Sequence, residues 1–192
     1  MTVVYDQSAA LNPGGSGTDD GNSDGNQNCR QIIPSSVLSA ASGNQFQLRL
    51  RWGSAGGAET GTFTSMYFGK RSGTSGINFT GDQVQVLVGG SGVINALAGN
   101  TVTDTDVLTL GSSYDNTSDY LLSFHFQNTS AAHVSVATVT GFNFENAAGA
   151  DESSATNPAL TYGPNADVLV LLELITITQS SVAPPLMGQI WL

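Results

Sequence analysis

The sequence predicts an all-β protein, an antiparallel two-sheet β-sandwich of jelly-roll or related Greek-key topology. Three observations lead there. Apolar residues recur at period two along most of the chain, turn residues interrupt them at short intervals, and no window carries a 3.6-residue apolar stripe of helical length. Composition agrees, since only 10% of the residues are charged, 40% are hydrophobic and 23 are glycine. Hydroxyls and amides thus take the place of ion pairs on the wetted surface, as suits a turn-rich sheet protein. A chain of 192 residues fits one such core.

The strands can be justified in order. In Gln45–Trp52, Phe46, Leu48, Leu50 and Trp52 share one face, and Gln45, Gln47, Arg49 and Arg51 share the other. Val84, Val86 and Val88 alternate with Gln83, Gln85 and Leu87. Tyr120, Leu122, Phe124 and Phe126 alternate with Leu121, Ser123, His125 and Gln127. Such alternation marks a strand with one buried and one wet face. Further strands are predicted at Gln31–Ile33, Phe63–Gly69, Asp106–Leu110, Val134–Thr140 and Phe142–Glu145. The longest, Asp167–Thr178, is apolar on both faces, which predicts a central position or one under an interface. Turn signals lie at Gly53–Gly57, Ser72–Gly76, Gly89–Gly92, Gly111–Asn116 and Ala147–Pro158.

Three zones follow. Residues 1–30 read as an N-terminal arm, a short β-like piece at Thr2–Tyr5 followed by Gly, Asn, Asp and Ser. Residues 31–178 carry the sandwich. Residues 179–192 read as an extended C-terminal arm, because Pro184-Pro185 blocks helix. Within that arm Leu186, Met187, Ile190, Trp191 and Leu192 are apolar. Either they fold back on their own domain or they dock on another chain, and docking is the reading favoured here.

Charge excludes several classes of function. Five Lys and Arg stand against fifteen Asp and Glu, a formal charge of −10. Nucleic-acid binding needs clustered cations to displace phosphate counterions, and an anionic membrane surface needs them too, so neither partner is expected. The apolar run Val168–Leu172 is far too short to cross a bilayer. Residues 1–20 show no basic-then-apolar leader, so synthesis in a cytosol is expected. Cys29, the single cysteine, allows no intrachain disulfide and reads as a small residue at a strand start.

Few residues suggest chemistry. Asp20-Gly21-Asn22-Ser23-Asp24-Gly25 matches the first half of a calcium loop, with Asp20, Asn22 and Asp24 as ligands. The bidentate acid that would complete it is replaced by Gln31, so a turn-rich linker competes with calcium. His125 and His133 are the only histidines and read as exposed hydrogen-bonding groups on or beside a strand. Hydrolase elbows, phosphate-binding glycine loops and zinc-protease motifs are missing. Asp104, Asp106, Asp115, Asp119, Asp151 and Glu152 fall in predicted turns, where capping or solvation explains them. A glycosidase carboxylate pair stays open as a residual reading, but a non-enzymatic protein is expected. Arg49 and Arg51 point the same way, to bind carboxylates of a neighbour, to cover the sheet with their stems, or to stand in solvent. The sequons at Asn78, Asn116 and Asn128 read as by-products of composition.

Leu48-Arg49-Leu50-Arg51-Trp52, then Met66-Tyr67-Phe68-Gly69, then Leu121-Leu122-Ser123-Phe124-His125-Phe126 resembles the layout of small β-sandwich structural proteins of tailed-phage virions. The resemblance spans roughly residues 30–130 and rests on pattern rather than a strict signature. It implies a virion component: a capsid decoration protein, a head or tail fibre, or a tail-associated protein. Its partners would be other virion proteins or copies of itself. The alternative is a carbohydrate-binding sandwich for attachment to a host or surface glycan, with calcium at Asp20–Asp24.

Overall fold

The computed structural model describes residues 1–8, 26–52, 60–95, 102–130, 134–135, 143–165, 167–168 and 170–178. The strands in chain order are β1 (Thr2–Asp6), β2 (Gln27–Ile33), β3 (Gln45–Trp52), β4 (Thr60–Lys70), β5 (Val84–Gln85), β6 (Ile94–Asn95) and β7 (Val102–Asp104). They continue with β8 (Leu108–Thr109), β9 (Tyr120–Ser130), β10 (Val134–Ser135), β11 (Asn143–Ala148), β12 (Gly163–Asn165), β13 (Asp167–Val168) and β14 (Val170–Thr178). A single 3-10 turn, Ser35–Val37, is the only helical element among the described residues.

Two antiparallel sheets form the sandwich. One runs β1-β14-β3-β7, with β8 also on β3; the other runs β12-β11-β2-β9-β4-β5, with β6 also on β4. The first strand, β1, lies beside the last, β14, in one sheet, and β2 lies between β11 and β9 in the other, while β10 and β13 form a separate two-stranded pair. The hairpin β11–β12 adds to the edge of the second sheet, beside β2. The apolar strand β14 is central, as its two-sided pattern predicts, flanked by β1 and β3. The zone boundary predicted at residue 30 moves: β1 is an edge strand of the sandwich and β2 already begins at Gln27.

Between the sheets the alternation reads true. Phe46, Leu48 and Leu50 of β3 meet Phe63, Met66 and Phe68 of β4 and Tyr120, Leu122, Phe124 and Phe126 of β9 in one cluster. Phe68 stacks on Tyr120 with ring centroids 5.6 Å apart, and Phe46 tilts against Phe68 at 5.4 Å. Gly69 ends this apolar run for a steric reason: a Cβ there would stand 2.7 Å from Gln83 Cα.

Register shifts break the strict period in four places, between Val3 and Tyr5, Phe63 and Ser65, Leu172 and Leu174, and Thr60 and Thr62. At the third, Glu173 is the extra residue, so Leu172, Ile175 and Ile177 all reach the core. An uninterrupted period would have put Leu172 and Ile175 on opposite faces. Gln31 of β2 crosses the core to this bulge. Its side-chain oxygen accepts from Leu172 N–H at 2.8 Å and its NH₂ faces the Leu172 carbonyl at 3.5 Å.

Candidate functional site

The sites predicted from sequence separate in the structure. Asp20, Asn22, Asp24, His133, Leu186, Met187, Ile190, Trp191 and Leu192 lie outside the described residues. Gln31, the last position of the calcium-loop pattern, is fully buried and its amide is engaged by Leu172, so it faces away from any ion site at the surface. Among the described residues no three His, Cys, Asp or Glu side chains gather as a metal site would require. Cys29 lies within β2 rather than at its start, and burial alone pushes its thiol pKa far up, as for an inert core residue.

Arg49 and Arg51 do share the outer face of the smaller sheet, and carboxylates of their own chain meet them there. Arg49 donates to both oxygens of Asp104, at 2.7 and 3.1 Å, from the adjacent strand β7. Arg51 pairs with Glu173, the bulge residue of β14, which is only 2% exposed. The bulge is what turns Glu173 to this face. The hydrogen bond to Asp104 holds the Arg49 charge in place and keeps the Asp104 carboxyl below the usual carboxylate range. Lys70 pairs with Asp115 and Arg71 with Asp119. Together with Arg30, every cation of the chain is therefore engaged within it.

The largest departure from the sequence reading is on the outer face of the larger sheet. The alternation predicts that Ser123 and His125 are wet, yet Ser123 is fully buried and His125 only 5% exposed. They are covered because the chain between β11 and β12, residues 149–162, folds back across β2, β9 and β4 as a strap. Polar side chains of the sheet hold the strap by its backbone. Asn28 donates to the Ala150 carbonyl at 2.8 Å and accepts from Glu152 N–H at 2.7 Å. Arg30 donates to the carbonyls of Ile77, Glu152 and Ala155, at 2.5, 3.1 and 2.6 Å. Gln83 donates to the Ser154 carbonyl at 2.9 Å. The Arg30 guanidinium also lies over the Phe79 ring, 4.7 Å from its centre. Burial pulls the Arg30 pKa down, but an arginine starts so high that it stays charged.

The strap's acids cap and clamp, as their place in a turn predicts. Glu152 accepts from the amides of Ala159 and Leu160, at 3.0 and 3.1 Å. Asp151 accepts from Ser153 N–H and from the hydroxyls of Ser153 and Ser65, at 2.9, 2.7 and 2.5 Å. Burial pushes the Asp151 carboxyl up, but those hydrogen bonds and the nearby His125 outweigh it and leave its pKa below the ordinary value.

The bulge between Phe63 and Ser65 places Thr64 and Ser65 together opposite His125. His125 Nδ1 and the Thr64 hydroxyl share a hydrogen bond of 2.6 Å, and Asp151 lies 3.8 Å from the same nitrogen. Hydroxyl, imidazole and carboxylate thus occur together, the residue types of a nucleophilic relay. A relay needs the hydroxyl on one ring nitrogen and the carboxylate on the other. Here both approach Nδ1 while Nε2 is sealed beneath the strap without a protein partner. The arrangement can hold a strap in register; it cannot pass a proton from hydroxyl to carboxylate through the ring. Leu121 on the nominally wet face of β9, and a turn-rich stretch too long for a simple hairpin, are the sequence signals for this cover.

Compared with known proteins, the chain matches no family model and no curated sequence.

Proposed function

We propose that the chain is a non-enzymatic structural component of a virion, of capsid-decoration, fibre or tail-associated type, assembling with other virion proteins or its own copies through sandwich faces and terminal arms. Two-sheet antiparallel sandwiches, jelly rolls among them, serve in both viral capsid and lectin domains, so the sandwich supports this reading by analogy alone. The observation that carries it is the apolar set Leu186, Met187, Ile190, Trp191 and Leu192, separated by Pro184-Pro185 from a central strand whose sheet already buries its apolar face. An extended arm of this kind gains a large interface by ordering a short segment.

The test compares the full chain with a version ending at Ser181, by solution mass and by binding to purified particles. The expected result is a defined oligomer or particle binding for the full chain and neither for the short one. Two monomers of equal stability that both ignore particles would overturn it, and would direct attention to glycan binding with and without calcium.

A further inference from the structure

Lys and Arg number five in 192 residues, and all five lie in a strand or directly after one. Arg30 is in β2, Arg49 and Arg51 are in β3, Lys70 ends β4 and Arg71 follows it. The turns at 72–76, 89–92 and 111–118 carry neither residue, and nor does the strap or any stretch outside the described residues. Turns and connecting segments are where folded chains are ordinarily cut. Here they hold nothing that a protease specific for Lys and Arg accepts.

Each of the five sites is closed at the side chain and again at the backbone. Such a protease draws the cation into an acidic pocket and takes the chain around the cut as an extended strand, so it needs both free. Arg30 is fully buried, donates to three carbonyls, and lies in a strand paired on both sides by β11 and β9. Arg49 and Arg51, held by Asp104 and Glu173, sit in a strand paired between β14 and β7. Arg49 is the most open, with 38% of its side chain exposed. There the sheet is the guard, because a cut after Arg49 requires the fully buried Leu50 to leave the core.

The end of β4 is closed in the same way. Lys70 pairs with Asp115 at 2.6 Å, and its carbonyl accepts from Thr80 N–H at 2.9 Å. Arg71 pairs with Asp119 at 2.8 Å and donates from Nε to the Gly76 carbonyl at 2.7 Å. The amide that follows Lys70 donates to the Asp119 carbonyl at 2.9 Å, and the one that follows Arg71 donates to the Asn78 carbonyl at 2.7 Å.

We propose that this placement makes the folded chain a closed substrate for proteases that cut after Lys or Arg. They reach it only when β2, β3 or the end of β4 leaves its sheet. The proposal stands apart from the assembly reading, because it concerns one folded chain.

The test uses trypsin on the full chain. At a ratio that rapidly digests the urea-unfolded chain, the native chain should last about a hundredfold longer or more, since cutting then follows the small unfolded population. In a urea series, cutting should begin only as the near-ultraviolet signal of the aromatic core is lost. A fragment ending at any of the five residues while that signal persists overturns the proposal. Thr74→Arg puts a cation in the exposed turn after Arg71 and should be cut there at least about tenfold faster than the parent, with the core signal intact. A folded Thr74→Arg chain that lasts as long as the parent assigns the resistance to general rigidity rather than to placement, and overturns the proposal as well.

Discussion

The two faces of the larger sheet are almost equally dehydrated and are built from opposite materials. Between the sheets, Phe63, Phe68, Tyr120, Leu122 and Phe124 pack as aromatic and branched side chains, with Gln31 the polar bridge. Beneath the strap, Asn28, Arg30, Ser65, Ser123 and His125 are buried too, though only a small satellite of Ile32, Ile77, Phe79 and Leu121 is apolar. The first face is held by area removed from water and tolerates no polar vacancy. The second is held by directed hydrogen bonds to a backbone, and its stability depends on each partner being present. Burial and apolarity are therefore separate properties of a strand face, and period two reports only the second.

The contrast can be broken first at its apolar side. Phe46→Ala removes a ring that touches Phe68, Tyr114 and Tyr120, and should cost about 4 kcal/mol in a urea titration, with the whole molecule unfolding in one transition. A loss below about 1 kcal/mol would mean that the core is not the continuous cluster described. On the polar side, Arg30→Ala leaves two strap carbonyls, those of Glu152 and Ala155, and the Ile77 carbonyl without their donor and should cost about 3 kcal/mol. Its signature is local: proteolytic cleavage within residues 149–162 while the near-ultraviolet signal of the aromatic core persists. Cleavage spread evenly over the chain would show that strap and core unfold as one.

The smallest effect sharpens the comparison by pH. Asp151 has a folded pKa below its ordinary 3.8, so its contribution is full above that value and is lost as pH falls through the lower folded one. Asp151→Asn should therefore cost about 1 kcal/mol or less at pH 7, its third-exposed carboxylate being partly screened. The difference from the parent should close below about pH 3. A gap that stays constant with pH would assign the loss to packing instead.

How much was legible follows from the same distinction. The patterns of β3 and β9 gave fold class and inner face together, because Phe46, Leu48, Leu50, Leu122, Phe124 and Phe126 sit where period two puts them. The central place of β14 was legible from its two apolar faces, whereas the bulge at Glu173 was not, since an extra residue within a run apolar on both faces leaves no break in the pattern. His125 and Ser123 were misread as wet because their cover comes from residues 149–162, remote in sequence and poor in apolar side chains. Arg30 lay in the zone read as an arm, where a lone cation among Asn and Gln carries no strand signal. Arg49 and Arg51 were legible as a pair on one face; that their carboxylates come from β7 and β14 required the register.

The internal pairing of Arg49, Arg51, Lys70 and Arg71, with Arg30 sealed under the strap, leaves the outside of the molecule with a field of one sign. Two copies approaching in dilute buffer repel each other before any contact forms. With a screening length of about 30 Å at 0.01 M salt and about 8 Å at 0.15 M, that repulsion spans a molecular radius in the first case and a side chain or two in the second. Ionic strength is thus a throttle on self-association that leaves the fold itself nearly untouched, and a basic neighbour would be drawn in most strongly where two copies are held farthest apart.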